Sequence, residues 1–280
     1  RSSPATLADS FYYPARGIGR LSERLREETL ACGDVLTGTR VVRVHHDGST
    51  VRGVTVRNRS GEAFLEGEAF ISTIPVPHLA GMLDPQPPDE IMDGASSLRY
   101  RDLVVVALLV DRPQVTDQTW IYFPERKAPF GRLHEPKNWS AAMAPPDKTV
   151  LVVEYFCFAG DRTWVTGDGE LGERTAAALE DLGFLRRGDL LSAKVVRVPR
   201  AYPLFDVEYR EKLEPVMDCL GRLDNLFVAG RTGTFGYLNM DEALESGMEA
   251  AEAVLGSRRR SARIDDGPLE RTLSAAVAEP

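Results

Sequence analysis

The chain has 280 residues, 43% hydrophobic and 27% charged, which is enough to bury a core and to form one or two domains. A formal charge of -8 argues against nucleic acid or an anionic membrane surface as the main partner, because both select positive surfaces. No apolar run approaches the roughly 20 residues that span a bilayer, and Arg1 to Pro14 has no apolar signal core, so the expected location is cytoplasmic.

The chain begins at Arg1 within a pattern already under way, Tyr12-Tyr13-Pro14-Ala15-Arg16-Gly17-Ile18-Gly19, and reads as a fragment or a processed product. From Gly19 to Ala31, Leu21, Leu25 and Leu30 oppose Arg and Glu residues as on a surface helix, with Gly33 placed to end it. Arg40 to His46, Val51 to Arg57 and Glu62 to Glu66 alternate and are separated by turn residues, the pattern of a three-stranded antiparallel meander. Ala69 to Ile74 reads as a short buried strand ended by Pro75 and Pro77.

The middle of the chain reads as α+β. Strands are expected at Leu103 to Val110, Thr119 to Phe123, Val150 to Phe158 and Ala193 to Val198, with a helix at Gly169 to Leu182. The proline-rich stretch Pro124 to Pro146 reads as one long loop. Cys32, Cys157 and Cys219 are odd in number and outside any CxxC pattern, and are expected to be buried free thiols. His45 and His46 fall on opposite faces of a strand while His78 and His134 are isolated, so no metal site is expected.

Chemistry concentrates near the C-terminus. Asn225 to Gly230 is a short apolar strand ending in glycine, followed by Arg231-Thr232-Gly233-Thr234-Phe235-Gly236 and by a helix from about Asn239. Glycines allow close backbone approach to a ligand, and a helix N-terminus presents about half a positive charge to it. Asn239 is placed as the cap and Glu242 as its capping-box partner, and Met240, Ala243, Leu244, Gly247, Met248, Ala251 and Val254 form one apolar stripe. Gly247 within that stripe suggests close approach of a neighbouring strand or ligand.

The run Gly230-Arg231-x-Gly233-x-Phe235-x-Tyr237-x-Asn239-Met240-Asp241 resembles the C-terminal flavin motif of the superfamily that holds amine oxidases, protoporphyrinogen oxidases and UDP-galactopyranose mutases. Tyr13-Pro14-x-x-Gly17-x-Gly19-x-Leu21, Val41-Val42-Arg43-Val44 and Ser72-Thr73-Ile74-Pro75 resemble further landmarks in the same order, covering most of residues 13 to 256. The resemblance implies an α/β plus α+β chain: the C-terminal part of an FAD-binding Rossmann-like domain, with an inserted mixed sheet-and-helix substrate domain. The expected division is 1–74 and 221–256 for FAD, 75–220 for substrate, and 257–280 as a flexible tail.

Carried over by position, Gly230, Arg231 and Gly233 belong to the loop along the FAD pyrophosphate and ribityl chain. Asn239 and Met240 border the flavin ring, and Val41 meets the adenine through its main chain. The resemblance also implies a strand–GxGxxG–helix segment that this sequence does not contain, so its partners include that missing N-terminal FAD-binding segment as well as a small-molecule substrate. The Gly17-Ile18-Gly19-Arg20-Leu21-Ser22 run has no preceding apolar strand and reads as helix entry.

Substrate candidates are Arg132, His134, Asn138 and Trp139 in the proline-rich loop, Glu154 and Tyr155 on a strand, and Arg200, Tyr202 and Tyr209 before the motif. No residue emerges as a catalytic acid, base or nucleophile, which suits an enzyme whose reactive atom belongs to the cofactor. The resemblance implies an FAD-dependent oxidoreductase. The alternatives are a flavin-dependent sugar isomerase acting on a nucleotide-sugar and a noncatalytic binding module.

Overall fold

The computed structural model describes residues 12–125 and 127–265, with side chains as far as Gly256. In chain order the elements are α1 (Gly19–Leu30), β1 (Arg40–His46), β2 (Val51–Asn58), β3 (Gly61–Glu66), β4 (Phe70–Ser72), α2 (Val76–Met82), β5 (Leu83–Asp84), α3 (Asp89–Ser97) and β6 (Tyr100–Val110). Next come β7 (Ile121–Tyr122), β8 (Arg132–His134), two 3-10 turns (Pro136–Asn138 and Ala141–Met143), β9 (Thr149–Cys157), α4 (Arg162–Val165), α5 (Asp168–Asp181) and β10 (Leu190–Pro203). The last are α6 (Tyr209–Gly221), β11 (Leu226–Val228), the single turn α7 (Gly230–Gly233) and α8 (Met240–Asp265). The fold is mixed α and β with several sheets. It forms two compact units, one from residues 1–37 and 101–201 and the other from 38–100 and 202–280.

The first unit is built on a five-stranded sheet in the order β10-β6-β9-β8-β7. Its centre is the long antiparallel pair β6 and β9, in register from Asp102 opposite Cys157 to Val110 opposite Thr149. Alternation puts Val104, Val106, Leu108 and Val110 on one face with Leu151, Val153, Tyr155 and Cys157, and these bury against Leu171, Ala176 and Leu179 of α5. Helix α1 has no buried residue. Its ends and flanks are held locally by pairs such as Arg24 with Glu27 and Glu28.

The proline-rich stretch is not one loop, since β8 and both 3-10 turns lie in it. Leu133 at the centre of β8 is fully buried and pairs with Val153, so packing on a formed sheet overrides a local sequence too short to show a period. The thiols also differ from expectation: Cys157 is buried, but Cys32 is exposed just past the end of α1 and Cys219 is partly exposed.

The second unit contains the expected meander, with β1, β2 and β3 antiparallel and β5 added parallel to β1 in the order β3-β2-β1-β5. Valines 44 and 51 bury with Leu79, Leu83, Leu98, Val216, Leu220 and Leu226. Helices α2, α3 and α6 appear where the sequence pattern predicts no element. In α6 the interior Pro215 removes one backbone hydrogen bond, and the complete burial of Val216 beside it outweighs that loss.

Strands β4 and β11 form a separate parallel pair, Leu226 opposite Phe70 and Val228 opposite Ser72. Asn225 locks its start, accepting from the Val51 N–H at 2.8 Å and donating to the Val51 and Glu68 carbonyls. The strand read as buried is half-open, because Phe70 and Ser72 turn inward while Ile71 is exposed. Helix α8 runs to Asp265, beyond the expected end at Gly256, since an isolated glycine is tolerated within a helix and no proline occurs before Pro268. The rest of the expected tail lies outside the described residues.

Candidate functional site

Two groups of candidate residues form, one in each unit. In the second unit the chain leaves β11 beside the end of β4, where the Ala229 N–H donates to the Ser72 carbonyl at 2.9 Å. Gly230 follows at φ 73°, a backbone state that favours glycine, and its N–H donates to Ser246 Oγ at 3.0 Å. A side chain at Gly233 would place its Cβ 2.9 Å from the Ser72 carbonyl oxygen and 3.2 Å from Thr73 Cα, so glycine is what lets the loop cross β4 this closely.

Phe235 then takes a left-handed backbone at φ 51°, which costs a bulky residue about 1–3 kcal/mol. Its burial against Tyr100 (ring centroids 5.1 Å apart) and Phe205 (5.9 Å) holds it there. The Tyr100 hydroxyl also donates to the Thr232 carbonyl at 3.0 Å, fixing both ends of the turn.

This turn delivers Tyr237 to the surface. The Arg231 guanidinium lies over the rings of Tyr202 (4.9 Å) and Tyr237 (5.3 Å), and its Nε donates to the Leu238 carbonyl at 2.7 Å. The structure thus brings together Gly230, Arg231, Gly233 and Tyr202, with Asn239 and Met240 at the start of α8. One half of the expected capping box forms: the Asn239 N–H donates to Glu242 Oε2 at 2.6 Å. Val41 lies on β1 opposite Val56, partly buried against the core.

The expected apolar stripe of α8 divides into two faces. Ala243, Gly247 and Val254 are half-buried, while Met240, Leu244, Met248 and Ala251 are exposed, and the buried Ala250 lies outside the expected stripe. Among the described residues, a Cβ at Gly247 would meet nothing within 4 Å.

In the first unit, Arg132 on β8 pairs with the buried carboxylate of Glu154 on β9. His134 Nδ1 lies 3.7 Å from the other Glu154 oxygen, and its ring stacks on Trp139 with centroids 5.0 Å apart. Burial, aided by the positive charge of Arg132, lowers the His134 pKa to about 4, so this ring is neutral near pH 7. Trp139 also meets Trp120 at 5.0 Å and Tyr13 at 5.3 Å, and the Arg132 guanidinium lies 5.9 Å from the centre of the exposed Tyr122 ring.

Four candidates stand outside these groups. Asn138 donates to the Thr116 and Gln118 carbonyls, each at 2.9 Å, and accepts from Gln114. Tyr155 points into the core with its hydroxyl 2.8 Å from Thr175 Oγ1, and burial raises its pKa. Arg200 is exposed with a left-handed backbone at φ 55°, its N–H held by the buried Asp102 carboxylate at 2.6 Å. Tyr209, also a candidate, packs against Phe205.

Residues that sequence reasoning passed over are Trp120 and Tyr122, although their i, i+2 spacing in a predicted strand put them on one face. Among the described residues there is no group of three His, Cys, Asp or Glu side chains able to hold a metal ion. No helix among them is long and apolar enough to cross a membrane.

The family model described as flavin containing amine oxidoreductase matches residues 6–255. No curated protein matches the chain. Among solved structures, reduced UDP-galactopyranose mutase is similar at a TM-score of 0.75 and 23% identity, covering 87% of this chain and 53% of that one. A protein from Exiguobacterium sp., provisionally assigned as a protoporphyrinogen oxidase, gives 0.65 and 18%, covering 85% and 51%. An oxidoreductase from Methanosarcina mazei gives 0.56 and 17%, covering 84% and 54%. At these identities the likeness is one of fold, and the chain spans about half the length of the structures it matches.

Proposed function

We propose, from the premise that the chain belongs to the flavin containing amine oxidoreductase family, that residues 225–256 hold the ring-proximal part of FAD in an enzyme that oxidises a small molecule. The observation that carries this reading is the stretch from Gly230 to Gly247, in which a glycine loop held close against β4 leads into the N-terminus of α8, with open space at Gly247. When bound, the flavin supplies a hydride acceptor at N5.

The protein's own part is orientation and electrostatics. Gly230 and Gly233 keep the loop low against β4, and the N-terminus of α8 favours electron-rich oxygen beside Asn239 and Met240. Gly230 and Arg231 run along the ribityl chain and pyrophosphate, and Val41 offers its main chain to the adenine. The phosphate-binding strand–GxGxxG–helix segment of this superfamily completes the cofactor site. Tyr202, beside Arg231, contributes to substrate binding.

The test is FAD content of the full-length protein, read as the ratio of flavin to protein absorbance. A colourless wild-type protein overturns the reading. Gly247→Leu adds a side chain into space that holds no atom of the described residues within 4 Å and improves helix propensity by nearly 1 kcal/mol. It is expected to leave the helical signal intact and to lower FAD occupancy at least tenfold. Unchanged occupancy would sink the placement of the ring along α8.

A sugar isomerase reading has one observation in its favour. Arg231, held on the Leu238 carbonyl with its guanidinium over Tyr202 and Tyr237, sets a positive charge among aromatic rings, a setting suited to a nucleotide-sugar. Activity that appears only after dithionite reduction, with saturable binding of a UDP-sugar, would establish it. Bleaching of the oxidised protein by an amine or alcohol would establish oxidation.

A further inference from the structure

The 3-10 turn Pro136–Asn138 carries a side chain whose surroundings are those of an ion. Lys137 Nζ lies 2.9 Å from the Pro113 carbonyl oxygen, 2.9 Å from that of Pro145, 3.0 Å from that of Pro146 and 2.8 Å from that of Lys148. An ammonium has three N–H groups, so four acceptors at equal range exceed what it can satisfy at once. A spherical cation has no such limit. Three of the four carbonyls belong to prolines, whose fixed φ makes the cage stiff.

The charges nearby have the matching sign. The hydrogen bond from Lys148 above all, with Lys137 adding a little, holds the Asp147 carboxyl below its ordinary range, and Asp111 pairs with the same Lys148. Both acids stand outside the shell of carbonyls.

We propose that the carbonyls of Pro113, Pro145, Pro146 and Lys148 form a monovalent-cation site, and that the Lys137 ammonium is its tethered occupant. Distances of 2.8–3.0 Å suit potassium or ammonium, since rings of carbonyls replace the hydration shell of an ion of that size. Calcium would need oxygens at about 2.3–2.6 Å and magnesium at about 2.0–2.1 Å, along with ligands that offset a second charge. No carboxylate enters this shell to do so.

The cage joins two loops, 111–118 and 145–149, through a turn that sits between His134 and Trp139. With lysine in place, that junction is closed whatever the salt. Removing the ammonium hands the site to ions in solution, and the arrangement of the stacked rings then follows ion concentration.

The experiment compares wild type and Lys137→Ala in the full-length protein, in choline, sodium, potassium and ammonium chlorides at equal ionic strength. Thermal unfolding and tryptophan emission are the readouts. Wild type is expected to melt within about 1 °C in all four salts. The variant is expected to melt at least 5 °C lower in choline and to recover half or more of that loss in potassium or ammonium, with saturation, and less in sodium. Lys137→Met, which keeps the apolar stem, is expected to melt low in choline but to recover less, because its side chain occupies the cage. A variant equally destabilised in all four salts overturns the proposal, as does one that melts with wild type in choline. If neither variant folds in choline, refolding from urea in each salt gives the same reading, and equal yields overturn it.

Discussion

The turn at Glu135 to Asn138 and the loop at Gly230 to Asn239 are both irregular backbone carrying candidate residues, yet they are held in opposite ways. In the first, polar side chains do the holding. Glu135 is fully buried and accepts from the Val115 and Thr116 N–H groups and the Thr149 hydroxyl, while Lys137 and Asn138 bind the carbonyls of the loops around them. In the second, the means are a missing side chain at Gly233, a left-handed Phe235 wedged among aromatic rings, and one arginine turned back on its own loop. The first is closed on itself. The second keeps Tyr237 and Met240 exposed.

That contrast leads to a difference in what each region withstands. The largest effect is expected from Glu135→Ala, which leaves two amides and a hydroxyl without their acceptor in the interior, at a cost of about 4 kcal/mol. Urea unfolding measures it, and a loss below about 1 kcal/mol would break the comparison.

A smaller effect follows from His134, whose folded pKa of about 4 lies below the unfolded value near 6.5. Between those values the unfolded chain binds a proton that the folded chain refuses. Stability is therefore insensitive to this group above about pH 6.5 and falls as pH drops toward 4, by about 3 kcal/mol in all. His134→Phe should remove that part of the acid sensitivity, and identical pH profiles would contradict the assignment.

The smallest is Gly233→Ala, where a methyl group meets the backbone of Ser72 and Thr73 and costs about 2 kcal/mol by crowding. A shift of the urea midpoint by that amount, with an unchanged slope, would sharpen the view that this loop is held by close approach. No shift would mean the loop moves freely off β4.

What could be read from the sequence was whatever repeats or turns locally. The meander, β6, β9 and α5 follow from alternation, apolar periodicity and turn residues, and the strand–loop–helix around Gly230 follows from its glycines and cap. Helix α6 was hidden because Pro215 signals a break while the burial of Val216 and Leu220 that overrules it depends on distant residues. Strand β8 is three residues long and exists because Leu133 finds Val153.

The candidate site was legible unevenly for the same reason. Glu154 and Tyr155 are neighbours in sequence, but one meets Arg132 and the other Thr175, since adjacent strand residues point to opposite faces. Nothing near Asn138 announces that its amide is spent on Thr116 and Gln118, about 20 positions away. The left-handed backbone at Phe235 is equally silent, because phenylalanine is not a residue that advertises it.

The way the chain divides between its units has a consequence for how this protein can change. Each unit is made from two separated stretches, so the polypeptide passes from one to the other three times. Neither is therefore a module that a single gene segment encodes. No continuous block holds the whole of one unit without part of the other, and a chimaera that exchanges either unit whole needs three junctions. Variation in this architecture is thus steered toward point substitutions and loop insertions, and away from the shuffling open to proteins whose domains follow one another along the chain.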